Sequence, residues 1–305
     1  MSTVKPSKAD GLPVSNWGRW GDDDERGALN LLDPETVLAA TRLCKTGKTY
    51  SLALPIRREG MPLVPYRTPP QRFTLTNHTD DAAFAEYGNP DVGANEDVLI
   101  LASHNETHMD ALCHVHHRGQ LYNGFPAEGV RSLSGAERCS IDKVGSIVGR
   151  AVLLDMVRHL GEDALREPRA LSSGDLLSCA EAEGVDIRPG DILLVRTGWL
   201  SRYLADPDDV SMAAQTGLGM DAVDLIRERE VVAVGADNSA VEVMPFDGLF
   251  LGVHIELLVK LGVYLLEHLV LDELAADRAY ETLLVVAPLT VQGAAGSPVN
   301  PIAIA

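Results

Sequence analysis

The chain has 305 residues, 46% hydrophobic and 23% charged, the composition of a globular protein large enough to bury a full core and a concave site. Its formal charge of −18 and sequence pI of about 4.8 repel phosphate backbones and anionic lipid headgroups, which argues against nucleic acid and membrane surfaces as partners. Cys44, Cys113, Cys139 and Cys179 are scattered without a CxxC pair, so neither a disulfide framework nor a structural zinc knuckle is expected.

Residues 1–16 are polar with Pro and Gly and read as a mobile arm, followed by a single domain over 17–305. No apolar core of a signal segment and no run of about 18 uncharged apolar residues is present, so a soluble cytoplasmic protein is expected. Trp17 and Trp20 then offer either a wall of a ligand pocket or aromatic anchors of the arm on the core or on a second subunit. Asp33-Pro34 is a helix cap, predicting a helix from Glu35 to Leu43. From 60 to 95, Pro, Gly and Asn argue against regular structure apart from a short strand at "RFTLTNH". "DVLILAS" (97–103) reads as a strand that delivers the chain to His104.

Further strands are predicted at 149–157, 190–199, 231–237 and 282–291, and their nearly continuous apolar character suggests a sheet buried on both faces. Helical stretches at 172–184, 219–230 and 254–275 separate several of them, and this alternation points to an α/β architecture.

Three of the nine histidines fall in "HNETHMDALCH", from His104 to His114. Ligand atoms of one divalent ion sit about 2.0 to 2.2 Å from it, hence within roughly 4 Å of one another. On a helix His104 and His108 share a face but Asp110 points elsewhere. On a straight strand His104 and His108 are about 13 Å apart at roughly 3.3 Å per residue. The spacing therefore predicts a tight bend between His104 and His108, then extended chain carrying His108 and Asp110 side by side. The glutamate is misplaced for the zinc-protease HExxH motif, so that chemistry is excluded. His116 and His117 read as flanking residues, and Cys113 as structurally buried. The competing explanation is a loop of surface or hydrogen-bonded histidines.

At these residues the chain resembles the cyclase family of metal-dependent hydrolases, which includes bacterial kynurenine formamidase and isatin hydrolase. The family signature H-x-G-T-H-x-D-x-P-x-H is matched at His104, Thr107, His108, Asp110 and His114. Glu106 replaces the glycine and Leu112 the proline; Glu106 either alters the bend or places a carboxylate near the ion. With "CHV" and "YNG" (122–124), the chain is more similar to the longer members. The resemblance extends to "NWGRWGDDDERGALNLL", "GDILLVRTGW", "GADNSAVE" and "APLTVQGAAGSPVNPIA", and so covers most of the sequence.

The resemblance implies a swivelling β/β/α-type α/β fold, homodimers or homotetramers, and a second ligand set of a histidine and a glutamate in an apolar helix. His254 and Glu267 fit, with Glu256 and His268 as neighbouring competitors. Both interrupt an apolar stretch where an unpaired carboxylate is costly to bury. A helix would separate them by about 20 Å at 1.5 Å per residue, so a break is required, and Gly262 offers one.

The metal site implied is His104, His108, Asp110, His254 and Glu267 around one or two Zn2+ or Mn2+ ions, with His114 as proton carrier. The ion would lower the pKa of a bound water and polarise a carbonyl, giving hydrolysis of an amide C–N bond in a small formamide or cyclic amide or imide. A lyase or cyclase that stabilises an enolate, and a non-catalytic metal-binding relative, are the competing readings. Arg196 and Thr197 are substrate-binding or packing residues, and Asp237 and Asn238 are partners of the histidines or turn residues. "GSPVNP" (296–301) either closes on the site or simply turns.

Overall fold

The computed structural model describes residues 14–161 and 165–305, so the arm expected over 1–16 falls mostly outside the described residues. The main sheet has nine strands in chain order: β1 (Thr49–Ser51), β2 (His108–Asp110), β3 (Ile147–Asp155), β4 (Ile192–Arg196), β5 (Ala233–Ala236), β6 (Tyr264–Glu267), β7 (Glu281–Val286), β8 (Gly296–Pro298) and β9 (Ile302–Ile304). Their spatial order is β1-β9-β7-β3-β4-β5-β6-β2-β8. The central block β3-β4-β5-β6 is parallel, and the pairs outside it are antiparallel.

The parallel block follows from the sequence. Its strands are rich in Val, Leu, Ile and Ala and are buried along almost their whole length, as strands covered on both faces by crossover helices must be. The crossovers carry the helices Ser173–Glu183, Trp199–Ala205 and Ala222–Glu228, and the helical segment Gly252–Leu261. The first begins where expected: the Ser172 hydroxyl accepts a hydrogen bond from the Asp175 amide and the Asp175 carboxylate accepts one from the Ser172 amide, which satisfies two of the amides left free at a helix start. Asp33 likewise caps Thr36, and the helix Pro34–Thr41 stops two residues short of the expectation.

Two expectations hold with a difference. The strand ahead of His104 is present as Glu96–Ile100, and it pairs with Gln71–Thr76 in an exposed two-stranded sheet outside the main one. The irregular stretch also contains the short helix Asp81–Ala85. The apolar run 254–275 is not one helix. It is helical through Leu261, turns at Gly262 with φ +66, forms β6, and resumes as the helix Asp272–Ala276. Gly262 is needed twice there: its φ is left-handed, and a Cβ would stand 2.7 Å from Gly27 and from the Tyr122 ring. Glu267 is therefore a strand residue, not a helical one.

The N-terminal segment docks against the end of that helical segment. Trp17 Nε1 donates to the Val259 carbonyl at 2.7 Å, Asn16 donates to the Lys260 and Leu261 carbonyls, and Trp20 packs against the core. These bonds occupy carbonyls that a helix terminus leaves free, so the tryptophans act as anchors of the N-terminal segment.

Candidate metal centre

β2 is only three residues long, yet it positions the site because it lies between two strands. His108 is paired with Glu267 of β6 on one side and Pro298 of β8 on the other, while Asp110 faces Gly296. Side chains alternate along a strand, so His108 and Asp110 share one face and Met109, fully buried, enters the core. The bend predicted before β2 is present. The Asn105 amide bonds back to the Ala102 carbonyl, and Glu106 takes φ +44, turning His104 toward the face that holds His108 and Asp110.

Asp110 is the hub. Its Oδ1 lies 3.4 Å from His104 Nε2, 3.7 Å from His108 Nε2 and 4.0 Å from His114 Nε2, and its Oδ2 lies 3.8 Å from His254 Nε2. Glu267 completes the group, 3.4 Å from His108 Nε2 and 3.5 Å from His254 Nε2. Two overlapping donor sets result, His104–Asp110–His114 and Asp110–His254–Glu267, and within each the donor atoms lie within 4.8 Å of one another; the first contains His114, expected as the proton carrier, while His108 stands in neither set and meets both through Asp110 and Glu267. Asp110 is fully buried, and neither of its oxygens has a hydrogen-bond partner, nor does His104 Nε2. Such atoms cost about 1–3 kcal/mol each when left unsatisfied. A divalent cation would satisfy them, so the donor chemistry fits a metal.

The electrostatics agree. Burial pulls the His254 pKa down, but Glu242 and Glu267 outweigh it and hold the imidazole at about 10. Burial and then His108 and His254 act in opposite directions on Glu267, and the histidines win, keeping its carboxyl well below the usual range. The carboxylates thus favour positive charge at the centre of the cluster. Burial instead dominates at His104, lowering it to about 3, and at His114, which stays below the ordinary imidazole range.

Two of the imidazoles are oriented from behind. His108 Nδ1 donates to the Glu106 carbonyl at 2.8 Å, which leaves Nε2 toward the cluster. His254 Nδ1 is bonded to Glu242. Gly296 leaves room for His104: a Cβ there would stand 2.5 Å from His104 Nε2, so the "GSPVNP" segment does reach the site, as the edge strand β8. His114 stacks on His104 with ring centroids 4.0 Å apart, and also lines a cavity of about 370 Å³. His254, Glu267, Arg67 and Ser239 add further polar groups to its wall, while Met212, Met244, Phe246, Phe250 and Leu251 supply apolar surface. Arg67, at its rim, donates to the His104 carbonyl.

The competing residues lie elsewhere. Glu256 pairs with Lys260 and, at 4.0 Å, with Arg227. His268 is buried with Nδ1 donating to the Glu106 carbonyl at 3.0 Å and its ring 5.9 Å from that of His108; unlike His108, it has no carboxylate within ion-pair distance among the described residues. His116 is exposed, and His117 exchanges backbone hydrogen bonds with Gln120. The Glu106 carboxyl, raised to about 7 by burial, also belongs to neither donor set among the described residues.

Asp237 accepts from the Thr197 amide and hydroxyl and the Gly198 amide, tying the ends of β4 and β5 together, while the Asn238 carbonyl accepts from the His268 amide at 3.0 Å. Arg196 is engaged by Asp155 and Asp272, so it packs rather than faces the cavity. Cys113 is buried, its thiol pushed up to about 12 by desolvation. Glu242 was missed from sequence, although a carboxylate interrupting "AVEVMPF" is the same signal that marked His254 and Glu267.

Among the described residues no helix is long and apolar enough to cross a membrane. A search of curated protein sequences returns no match. Among solved structures, the chain is similar to a crystal structure described as a novel cyclase, with 37% identity over 98% of this chain and 99% of that one and a TM-score of 0.88. It is similar in fold to isatin hydrolase A from Labrenzia aggregata (20% identity, 84% and 93% of the two chains, TM-score 0.61). A potential metal-dependent hydrolase with cyclase activity also shares the fold (21% identity, 84% and 98% of the two chains, TM-score 0.53). The Cyclase family model matches residues 50–243, which include the bend, β2 and the Asp110 hub. With that match and an end-to-end relative at 37% identity, the chain belongs to the Cyclase family.

Proposed function

We propose that this protein is a metal-dependent hydrolase that cleaves an amide C–N bond in a small formamide or a cyclic amide or imide. The observation that carries the reading is Asp110, a fully buried carboxylate whose two oxygens have no hydrogen-bond partner and which is ringed by four imidazole Nε2 atoms. His104, His108, Asp110, His254 and Glu267 would hold one or two Zn2+ or Mn2+ ions. When bound, the metal supplies a Lewis acid that acidifies water and polarises a carbonyl.

The chain's own residues do the rest. The apolar wall of Met212, Met244, Phe246 and Phe250 binds the body of a small substrate and excludes bulk water, and His114, His254 and Glu267 face it from the side of the donor cluster. His114 stands at the boundary, half-buried, with its burial favouring the neutral imidazole. It can therefore take a proton at Nε2 and pass it to the leaving nitrogen. The reading is supported by fold similarity to structures described as isatin hydrolases and as a metal-dependent hydrolase with cyclase activity.

Elemental analysis of the purified protein, with a panel of formamides, cyclic imides and lactams turned over in 18O-water, tests it. Bound divalent metal and solvent oxygen in the acid product are expected, and both metal and turnover should be lost in His108→Ala and Asp110→Ala. Full metal occupancy in those variants would sink the ligand assignment. A product without solvent oxygen would instead favour a lyase or cyclase. His114→Ala should keep its metal and lose about 10²–10⁴-fold in kcat; loss of metal in this variant would make His114 a ligand.

A further inference from the structure

We infer that Glu242 is a positioning residue for His254, and that the Asn238–Glu242 turn is built to hold its carboxylate there. The inference rests on the metal-site reading above and adds a residue to it. Glu242 is buried, 1% exposed, in the connection between β5 and the helical segment Gly252–Leu261. Its ion-pair partner is His254, through Nδ1. The same carboxylate accepts from the Val253 amide at 3.2 Å and the His254 amide at 3.3 Å, so both oxygens are occupied and the side chain cannot swing away.

With Nδ1–H committed to Glu242, the His254 ring presents Nε2 to Asp110 Oδ2 and Glu267 Oε1. A carboxylate behind a metal-ligating histidine fixes its orientation and raises its donor strength. The other buried histidine of the cluster is treated differently, since His108 Nδ1 meets a neutral backbone carbonyl.

The turn that aims Glu242 is costly in itself. Val241, a β-branched residue, sits at φ +59, a conformation that surrounding structure must impose. Asn238 imposes it: its Oδ1 accepts from the Val241 amide at 2.8 Å, and its Nδ2 donates to the Thr216 carbonyl at 2.8 Å. Leu218 adds two backbone bonds, to the Val241 carbonyl and from the Val243 amide. Gly217 lets that segment approach, because a Cβ there would stand 2.5 Å from the Glu242 backbone. Strain held this firmly beside a metal-ligating group is the mark of a constraint on geometry, not of chain reversal alone.

The test compares the parent with Glu242→Gln, His254→Ala and the double variant, using Zn2+ as the probe in competition with a chromophoric chelator. Glu242→Gln should weaken Zn2+ binding by about 10- to 100-fold, with no further effect on Zn2+ affinity when His254 is already Ala. Zn2+ affinity within twofold of the parent would overturn the inference, as would an equal loss in the His254→Ala background. A metal-independent reading comes from NMR of the stripped protein. The parent should show a downfield, slowly exchanging His254 Nδ1 proton that disappears in Glu242→Ala, and its absence from the parent would overturn the inference. A parent that shows this proton but binds no divalent metal would overturn the proposed function and leave the positioning role standing.

Discussion

Glu106 shows what a single backbone angle decides. The sequence left it two roles, reshaping the bend or reaching the ion; its backbone forms the bend, and its carboxyl belongs to neither donor set among the described residues. It adopts φ +44, the conformation that the glycine of the family signature would take freely, and buries a carboxyl whose Oε2 has no partner. What the site uses is its carbonyl, which accepts from both His108 and His268. Glu106→Gly keeps that carbonyl while relieving a left-handed conformation and an unsatisfied buried oxygen. It should raise unfolding free energy by about 1–3 kcal/mol with unchanged metal content. Chemical denaturation with elemental analysis checks this, and a loss of stability would show that the carboxylate is held by a partner.

At the scale of elements, caps and breaks carry more information than periodicity. The helix Ser173–Glu183 starts on a reciprocal cap and ends on Gly184 in the left-handed region, yet its last residue is a glutamate, the wrong charge for a helix C-terminus. Burial pushes the Glu183 carboxyl from 4.5 up to about 7, despite a hydrogen bond from the Asp155 amide. In that window the folded protein holds a proton that the unfolded chain has released, so Glu183 lowers stability as pH rises from about 4.5 to 7. Below it both states are protonated and nothing is lost. Glu183→Gln should therefore match the parent near pH 4 and exceed it at pH 8, with the gain levelling off above 7. Denaturation midpoints across that range decide the matter; a difference that does not vary with pH would contradict the assignment.

Over the whole molecule, the two halves of the site lie far apart in sequence and meet because β2 pairs with β6. A cation held by both halves ties together elements that unfolding separates. Metal should thus stabilise the parent by about 2.7 kcal/mol at a free concentration of a hundred times Kd. Thermal unfolding with and without chelator should show this shift in the parent and none in Asp110→Ala. The sequence by itself determined the α/β alternation, the caps at Asp33 and Ser172, and the need for a bend after His104 and a break near Gly262. Those are local matters of spacing, turn chemistry and apolar run length. It misread 254–275 as helical because a short buried strand and a buried helix are both continuously apolar. Only the tertiary structure decided that Glu267 is a strand residue opposite His108, that Glu242 stands behind His254, and that His114 faces both the donor cluster and the cavity. The reason is physical: strand pairing and side-chain burial are long-range choices, and no local periodicity encodes which distant carboxylate an imidazole will meet.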